Sequence, residues 1–152
     1  MGFWPWPGNR SEFLGLLRER TGLNGTDANL TQRILAGFVL RPWMIKLVRT
    51  CGPAGYVTGV LNDQTNWLAR LNQQTEYYSA FDHIYNSYYL GKGKQDPSLF
   101  KDVAADLQLA PDRILFVDDN KENIDRARTC GWLALQFTDK RNFLTEFEKL
   151  LS

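Results

Sequence analysis

Apolar and polar positions along this chain change rhythm near residue 56. Before it, apolar side chains recur at helical spacing. In "SEFLGLLRERTG" (residues 11–22), Phe13, Leu16, Leu17 and Arg20 share that spacing; Ser11 is a candidate N-cap and Gly22 a terminator. "NLTQRILAGFVL" (29–40) places Leu30, Ile34, Leu35 and Phe38 on one side, and stops before Arg41 because a residue preceding proline is pushed out of the α region. Pro42 suits the first turn of "PWMIKLVRTCG" (42–52), and Gly52 its C-terminal cap.

After residue 56, short apolar runs alternate with helical stripes. "YVTGVLN" (56–62), "FDHIYNS" (81–87), "RILFVD" (113–118) and "WLALQF" (132–137) predict strands. "QTNWLARLNQQ" (64–74), "DPSLFKDVAADLQL" (96–109), "NKENIDRARTCG" (120–131) and "KRNFLTEFEKLL" (140–151) predict helices. Asp96 is a cap candidate with Pro97 at the first helical position, and Leu99, Phe100, Val103 and Leu107 form the stripe. The run 113–118 is nearly all apolar, as in a strand buried on both faces. Strand–helix alternation means an α/β fold with a parallel sheet.

Composition narrows the function classes. The chain has 152 residues, 43% hydrophobic and 13% aromatic, enough for a real core. With 18 basic and 17 acidic residues, the net charge of +1 gives no electrostatic footprint for nucleic acid. No apolar run is long enough to span a bilayer. The start, "MGFWPWPGNRSEFLG", has neither the layout of a signal peptide nor the Ser or Thr at position 6 of a myristoylation signal. Cys51 and Cys130 match no metal spacing, and the lone His83 in "FDHIYNS" has no ligand partner nearby in sequence. The expectation is a cytoplasmic protein with reduced thiols, and neither nucleic acid nor membrane as partner.

Candidate chemistry gathers at strand ends, where open α/β sheets bind ligands. Asn62 and Asp63 close the first strand; Asp118 and Asp119 close the third; Lys94 lies in the glycine-rich loop "GKGKQDPSLF". Adjacent carboxylates repel, so Asp118–Asp119 serves either a turn or a cation. Oxygen ligands of this kind suit Mg²⁺ with several retained waters, and a nearby lysine suits a phosphoryl group. Asp-Asp-Asn after a strand is also ordinary turn and N-cap chemistry.

The order of these features resembles the haloacid dehalogenase (HAD) superfamily, in its subgroup with a small helical cap. "GYVTGVLNDQTNWLARL" resembles its second motif, "LGKGKQDPSLF" its third, and "ILFVDDNKENIDRARTCGW", the most specific match, its fourth. The resemblance implies a Rossmann-like core with a parallel sheet over residues 53–152, forming one compact unit, and a cap-like helical segment over residues 1–52. It implies Mg²⁺ held by Asp118 and Asp119, and phosphoryl contacts from Asn62, Asp63 and Lys94. The substrate would be a small phosphorylated or halogenated compound.

The chain departs from that pattern. Asn62 has an amide where the family has a hydroxyl, and Gln95 follows the lysine where proline is usual. The family's first motif, a strand ending in Asp-x-Asp that supplies the nucleophile, has no counterpart: the sequence contains no Asp-x-Asp. Without it Lys94 keeps a vestigial catalytic position, and a covalent aspartyl-phosphate route is not encoded. The leading expectation is a HAD-like hydrolase chain that is inactive or truncated and binds Mg²⁺ weakly. The alternatives are a non-catalytic binding module, or a weak phosphohydrolase using metal-bound water. A missing central strand further predicts either direct pairing of the run 56–62 with the run 113–118, or strand complementation in a homodimer. Residues 2–7, "GFWPWP", are a poor donor for that gap because their prolines lack N–H groups.

Overall fold

Three helices come first: α1 (Arg10–Thr21), α2 (Asp27–Gly37) and α3 (Pro42–Cys51). β1 (Gly59–Asn62), α4 (Trp67–Thr75), β2 (His83–Asn86) and the short α5 (Ser87–Leu90) follow. Then come α6 (Ser98–Leu107), β3 (Leu115–Asp118), α7 (Lys121–Thr129), β4 (Leu133–Gln136) and α8 (Lys140–Leu151). The computed structural model describes residues 10–63 and 67–151. The Trp-rich residues 2–7 and the first turn expected for the helix at 64–74 lie outside the described residues. The chain divides into two compact units, Met1–Leu90 and Gly91–Ser152.

The element types expected from the pattern are present, and the local rules explain most boundaries. Pro42 opens α3, as its fixed φ and missing N–H favour. Thr26 caps α2 by accepting from the Asn29 N–H at 3.2 Å. Asp96 caps α6 from two residues away, its carboxylate accepting from the Ser98 N–H at 2.9 Å. Three expectations need correction. Ser11 does not cap α1, which starts at Arg10; its hydroxyl instead donates to Asp27 at 2.7 Å. α2 ends at Gly37, short of residue 40, and Phe38 is already extended. Gly52 caps α3 as expected, with a right-handed backbone (φ −55°), and the left-handed turn falls on Gly55 (φ 89°). The first strand begins at Gly59, because the Thr58 N–H and hydroxyl are both held by the Asp82 carboxylate, at 2.8 and 3.0 Å.

The strands pair in parallel, as expected. β1 pairs with β2, Asn62 opposite Asn86, and β3 pairs with β4, Asp118 opposite Gln136. Among the described residues these are two separate two-stranded ladders. Each ladder is closed by one short crossover, through α4 or α7, so each strand meets its nearest successor, at the least loop-closure entropy.

In the first unit, the helical stripes of α1 and α2 bury Leu14 and Leu30 with Trp67, which Phe13 meets edge-on at 5.0 Å. A second cluster forms around Leu71 and Tyr77, with Phe38, Leu40 and Ile45 against it. In the second unit, Phe100 of α6 stands edge-on to Phe116 of β3 (5.5 Å) and to Trp132 (5.3 Å). Ile124 and Ala127 on α7 are fully buried, and α7 packs on both strands of that ladder. Gly131 ends α7 at φ 86°; a Cβ there would lie 3.2 Å from Pro111 as well as being strained.

Candidate functional site

The apolar run of β3 delivers Asp118 to the carboxyl end of its strand, where α7 begins. The turn is built by successive asparagine and aspartate bonds. The Asp118 carboxylate accepts from the Asn120 N–H at 2.8 Å, and the Asn120 side chain accepts from the Glu122 N–H at 2.8 Å, capping α7. Asp118 therefore shapes the turn. Lys94, from the glycine-rich loop, places its Nζ 2.6 Å from Asp118 Oδ2.

This is a buried ion pair. The side chains are 12% exposed for Lys94 and 6% for Asp118. Lys94 Nζ also lies 5.8 Å from the centre of the Phe116 ring, a cation–π distance. Burial pushes the Asp118 carboxyl up, but Lys94, the Asn120 N–H and Asn123 outweigh it and hold the group below the usual carboxylate range. The loop's other lysine, Lys92, pairs instead with Asp102 and donates to Ser98 Oγ at 3.0 Å.

Asp119 is exposed. Its backbone carbonyl accepts from Gln136 Nε2 at 3.1 Å, and its carboxylate forms no ion pair among the described residues. Asn62 and Asp63 belong to the first unit. Asn62 is buried and stands opposite Asn86, itself buried, so two asparagines close that ladder. Of the expected site residues, Lys94 and Asp118 are brought into contact, with Asp119 next in the chain. Among the described residues, no group of three or more His, Cys, Asp or Glu side chains is gathered to hold a metal. The cysteines are free; Cys51 bonds to the Leu47 carbonyl and Cys130 to that of Pro97, each at 3.5 Å.

Sequence reasoning missed Asn86, Asn123 and Arg126. Asn123 Nδ2 lies 3.4 and 3.3 Å from the two Asp118 oxygens, and its Oδ1 accepts from Arg126 Nη1 at 3.0 Å. A carboxylate only accepts and a guanidinium only donates, so this amide can satisfy both in one orientation alone. Arg126 thus positions the amide that supports Asp118, and also pairs with Glu122 at 3.2 Å. The available signal was phase: Asn123 falls beside Ile124 and Ala127 on the buried stripe of α7. Replacing Arg126 with methionine is expected to raise the Asp118 pKa slightly, read by carboxyl-carbon NMR. Stability should fall by no more than about 1 kcal/mol, since Arg126 is partly exposed. An unmoved Asp118 titration would remove Arg126 from this role.

The haloacid dehalogenase-like hydrolase family model matches residues 8–131 of the chain. The chain belongs to that family. It is 26% identical over 127 residues to the bifunctional epoxide hydrolase 2 of Rattus norvegicus, covering 79% of this chain and 22% of that protein. It is 31% identical over 77 residues to the enolase-phosphatase E1 of Streptomyces avermitilis, 51% of this chain and 31% of the other. The chain thus spans about a fifth of the length of the rat relative. Among solved structures it is similar to a HAD-like family hydrolase from Porphyromonas gingivalis, with a TM-score of 0.78 and 21% identity, covering 94% of this chain and 73% of the other. A HAD family enzyme of Bacteroides thetaiotaomicron, in complex with magnesium and inorganic phosphate, aligns with a TM-score of 0.71 and 21% identity, over 86% of this chain and 69% of its own. These likenesses establish an α/β HAD fold with parallel strands. No helix among the described residues is long and apolar enough to cross a membrane.

Proposed function

We propose that this chain handles a phosphoryl group as a HAD-like hydrolase domain, with Lys94 and Asp118 as the charged half of its site, and that these 152 residues do not by themselves form an aspartyl-phosphate. The observation that carries the reading is the buried Lys94–Asp118 pair, 2.6 Å apart at the carboxyl end of β3. A buried ammonium beside an ionised carboxylate suits a dianionic phosphoryl group accompanied by a divalent cation: the lysine meets the anion and the carboxylate the cation. Asn62 and Asp63, at the end of β1, are the further phosphoryl-contact candidates of this reading.

The donor set fits Mg²⁺ of the water-rich kind. Mg²⁺ is usually held by one or two carboxylates plus waters, and Asp118 and Asp119 supply that number. The ion would contribute charge neutralisation at the phosphoryl oxygens. Asp118 already accepts from Lys94, the Asn120 N–H and Asn123, so the cation competes with existing donors and weak affinity follows. The chain's own residues orient this carboxylate and keep it ionised. The missing element is the nucleophile, because the sequence contains no Asp-x-Asp.

The test is hydrolysis of an aryl phosphate with Mg²⁺, alongside calorimetric titration of Mg²⁺ and inorganic phosphate. We expect no turnover above background, and weak Mg²⁺-dependent phosphate binding that Lys94→Met abolishes. Turnover removed by Asp118→Asn would instead favour attack by metal-bound water. Phosphate binding unchanged in Lys94→Met would remove this pair from the site.

A further inference from the structure

A second concave feature lies wholly within the first unit, among α3, the end of α4 and the turn that follows it. It is a cavity of about 410 Å³, a size that suits a small organic ligand. Its apolar lining comes from Leu40, Pro42, Ile45 and Tyr77. Three of these, Leu40, Ile45 and Tyr77, belong to the cluster around Leu71, so the cavity is an open margin of that core.

Two cations join this lining, Lys46 and Arg49. On α3, Pro42, Ile45, Lys46 and Arg49 follow a three-to-four-residue spacing and share one helix face. No carboxylate lines the cavity, and among the described residues no ion pair is formed by Lys46 or Arg49.

Tyr77 adds an independent observation. It is 7% exposed, and its hydroxyl is a buried polar group with no hydrogen-bond partner. Its ring meets that of Tyr78 edge-on, with ring centres 4.6 Å apart. Burial first, and the Tyr78 phenol second, push the Tyr77 phenol far above its usual range, so it stays a neutral donor. An unsatisfied buried hydroxyl is costly, and a bound polar group that it can reach would relieve that cost.

We propose that this cavity binds a single-chain amphiphile with an anionic head, its tail on Leu40, Pro42 and Ile45 and its head taken by Lys46, Arg49 and the Tyr77 hydroxyl as donor. Charge complementarity selects the head and apolar area holds the tail. A free anion would gain only the head contacts, and solvent screens the rim charges. A neutral alcohol would gain only the tail contacts. The site needs neither Lys94 nor Asp118, so it stands or falls apart from the phosphoryl reading.

The experiment is calorimetric titration of the full chain with decyl phosphate below its micellar threshold, with decanol and inorganic phosphate as controls. Decyl phosphate should bind at least about tenfold more tightly than either control, because only it meets both halves of the site. The charge-reversed double variant Lys46→Glu, Arg49→Glu should lose this binding while its thermal midpoint stays near that of the wild type, both residues being exposed. The titration is made without Mg²⁺, on which the proposed phosphate binding at Lys94 and Asp118 depends, and Lys94→Met should leave decyl phosphate binding unchanged. Decanol binding as tightly as decyl phosphate, no decyl phosphate binding at all, or undiminished binding in a folded charge-reversed variant would each overturn the proposal.

Discussion

Replacing Lys94 with methionine is expected to move the Asp118 carboxyl from below the usual carboxylate range to the top of it or beyond. Burial is the largest influence on this group and pushes it up; Lys94 is the largest that opposes it. Methionine keeps the side-chain length and removes the charge, so burial is left opposed only by the Asn120 N–H and Asn123. In the wild type the folded pKa lies below the unfolded value of about 3.9. That stabilisation is complete above the unfolded value and is lost as pH falls through the folded one. In the variant the order reverses. Asp118 becomes a buried, uncompensated anion at neutral pH, and protonation on acidification relieves it. Breaking a fully buried pair from one side costs about 3–5 kcal/mol, and this part-buried pair costs less. The deficit of Lys94→Met should therefore be greatest at neutral pH and shrink below about pH 4. Denaturant melts at the two pH values, with carboxyl-carbon NMR on Asp118, read this directly. An equal deficit at both would mean that the loss is one of packing, not of charge.

The other large effect is expected at Phe100. It is fully buried and meets Phe116 and Trp132 edge-on, binding α6 to β3 and to the start of β4. Phe100→Ala removes both aromatic contacts and leaves a cavity, at a cost of about 3–5 kcal/mol. That is a large share of a typical net stability of about 5–15 kcal/mol. The effect should also reach the site, because Phe116 stands two residues before Asp118 on the same strand and beneath the Lys94 ammonium. Near-ultraviolet circular dichroism of Trp132 should weaken, and amide exchange in β3 and α7 should quicken. Phe100→Leu, which keeps most of the volume, should cost less than half as much. If alanine and leucine cost the same, the ring contacts do not hold this core.

How much of this was legible beforehand depended on how local each feature is. Pro42 at the start of α3, the Asp96 bond to the Ser98 N–H and the Asn120 cap of α7 each involve residues within a few positions, and each could be argued from residue type alone. The apolar run of β3 ending on Asp118 was equally plain, and the order of the motifs pointed to the family that the residue 8–131 match establishes.

The misreadings came where a distant partner competed with a local rule. Ser11 looked like a cap and bonds Asp27, sixteen positions away. Tyr56 and Val57 read as strand, yet Asp82 takes the N–H of Thr58 and delays the ladder. Of the two arrangements expected for the runs 56–62 and 113–118, direct pairing or strand complementation by a second copy, the first is not seen among the described residues, where each strand pairs with its own successor.

The site divides along the same line. Sequence by itself determined that a carboxylate ends β3 and that a turn and a helix cap follow it, because apolar runs and Asx turns act over a few residues. The motif singled out Lys94 in "GKGKQ", and the tertiary structure decided that this lysine meets that carboxylate directly. Lys92 and Lys94 differ by two positions in a flexible sequence, and Lys94 reaches Asp118 across 24 residues while Lys92 is taken by Asp102. Likewise, only packing decided that Asn123 turns its amide to Asp118 under the hold of Arg126, and that Lys46 and Arg49 share an apolar cavity with Tyr77. Which polar groups meet is set by the path of loops and by the helix faces that burial turns inward, and neither has a signature in the local order of residues.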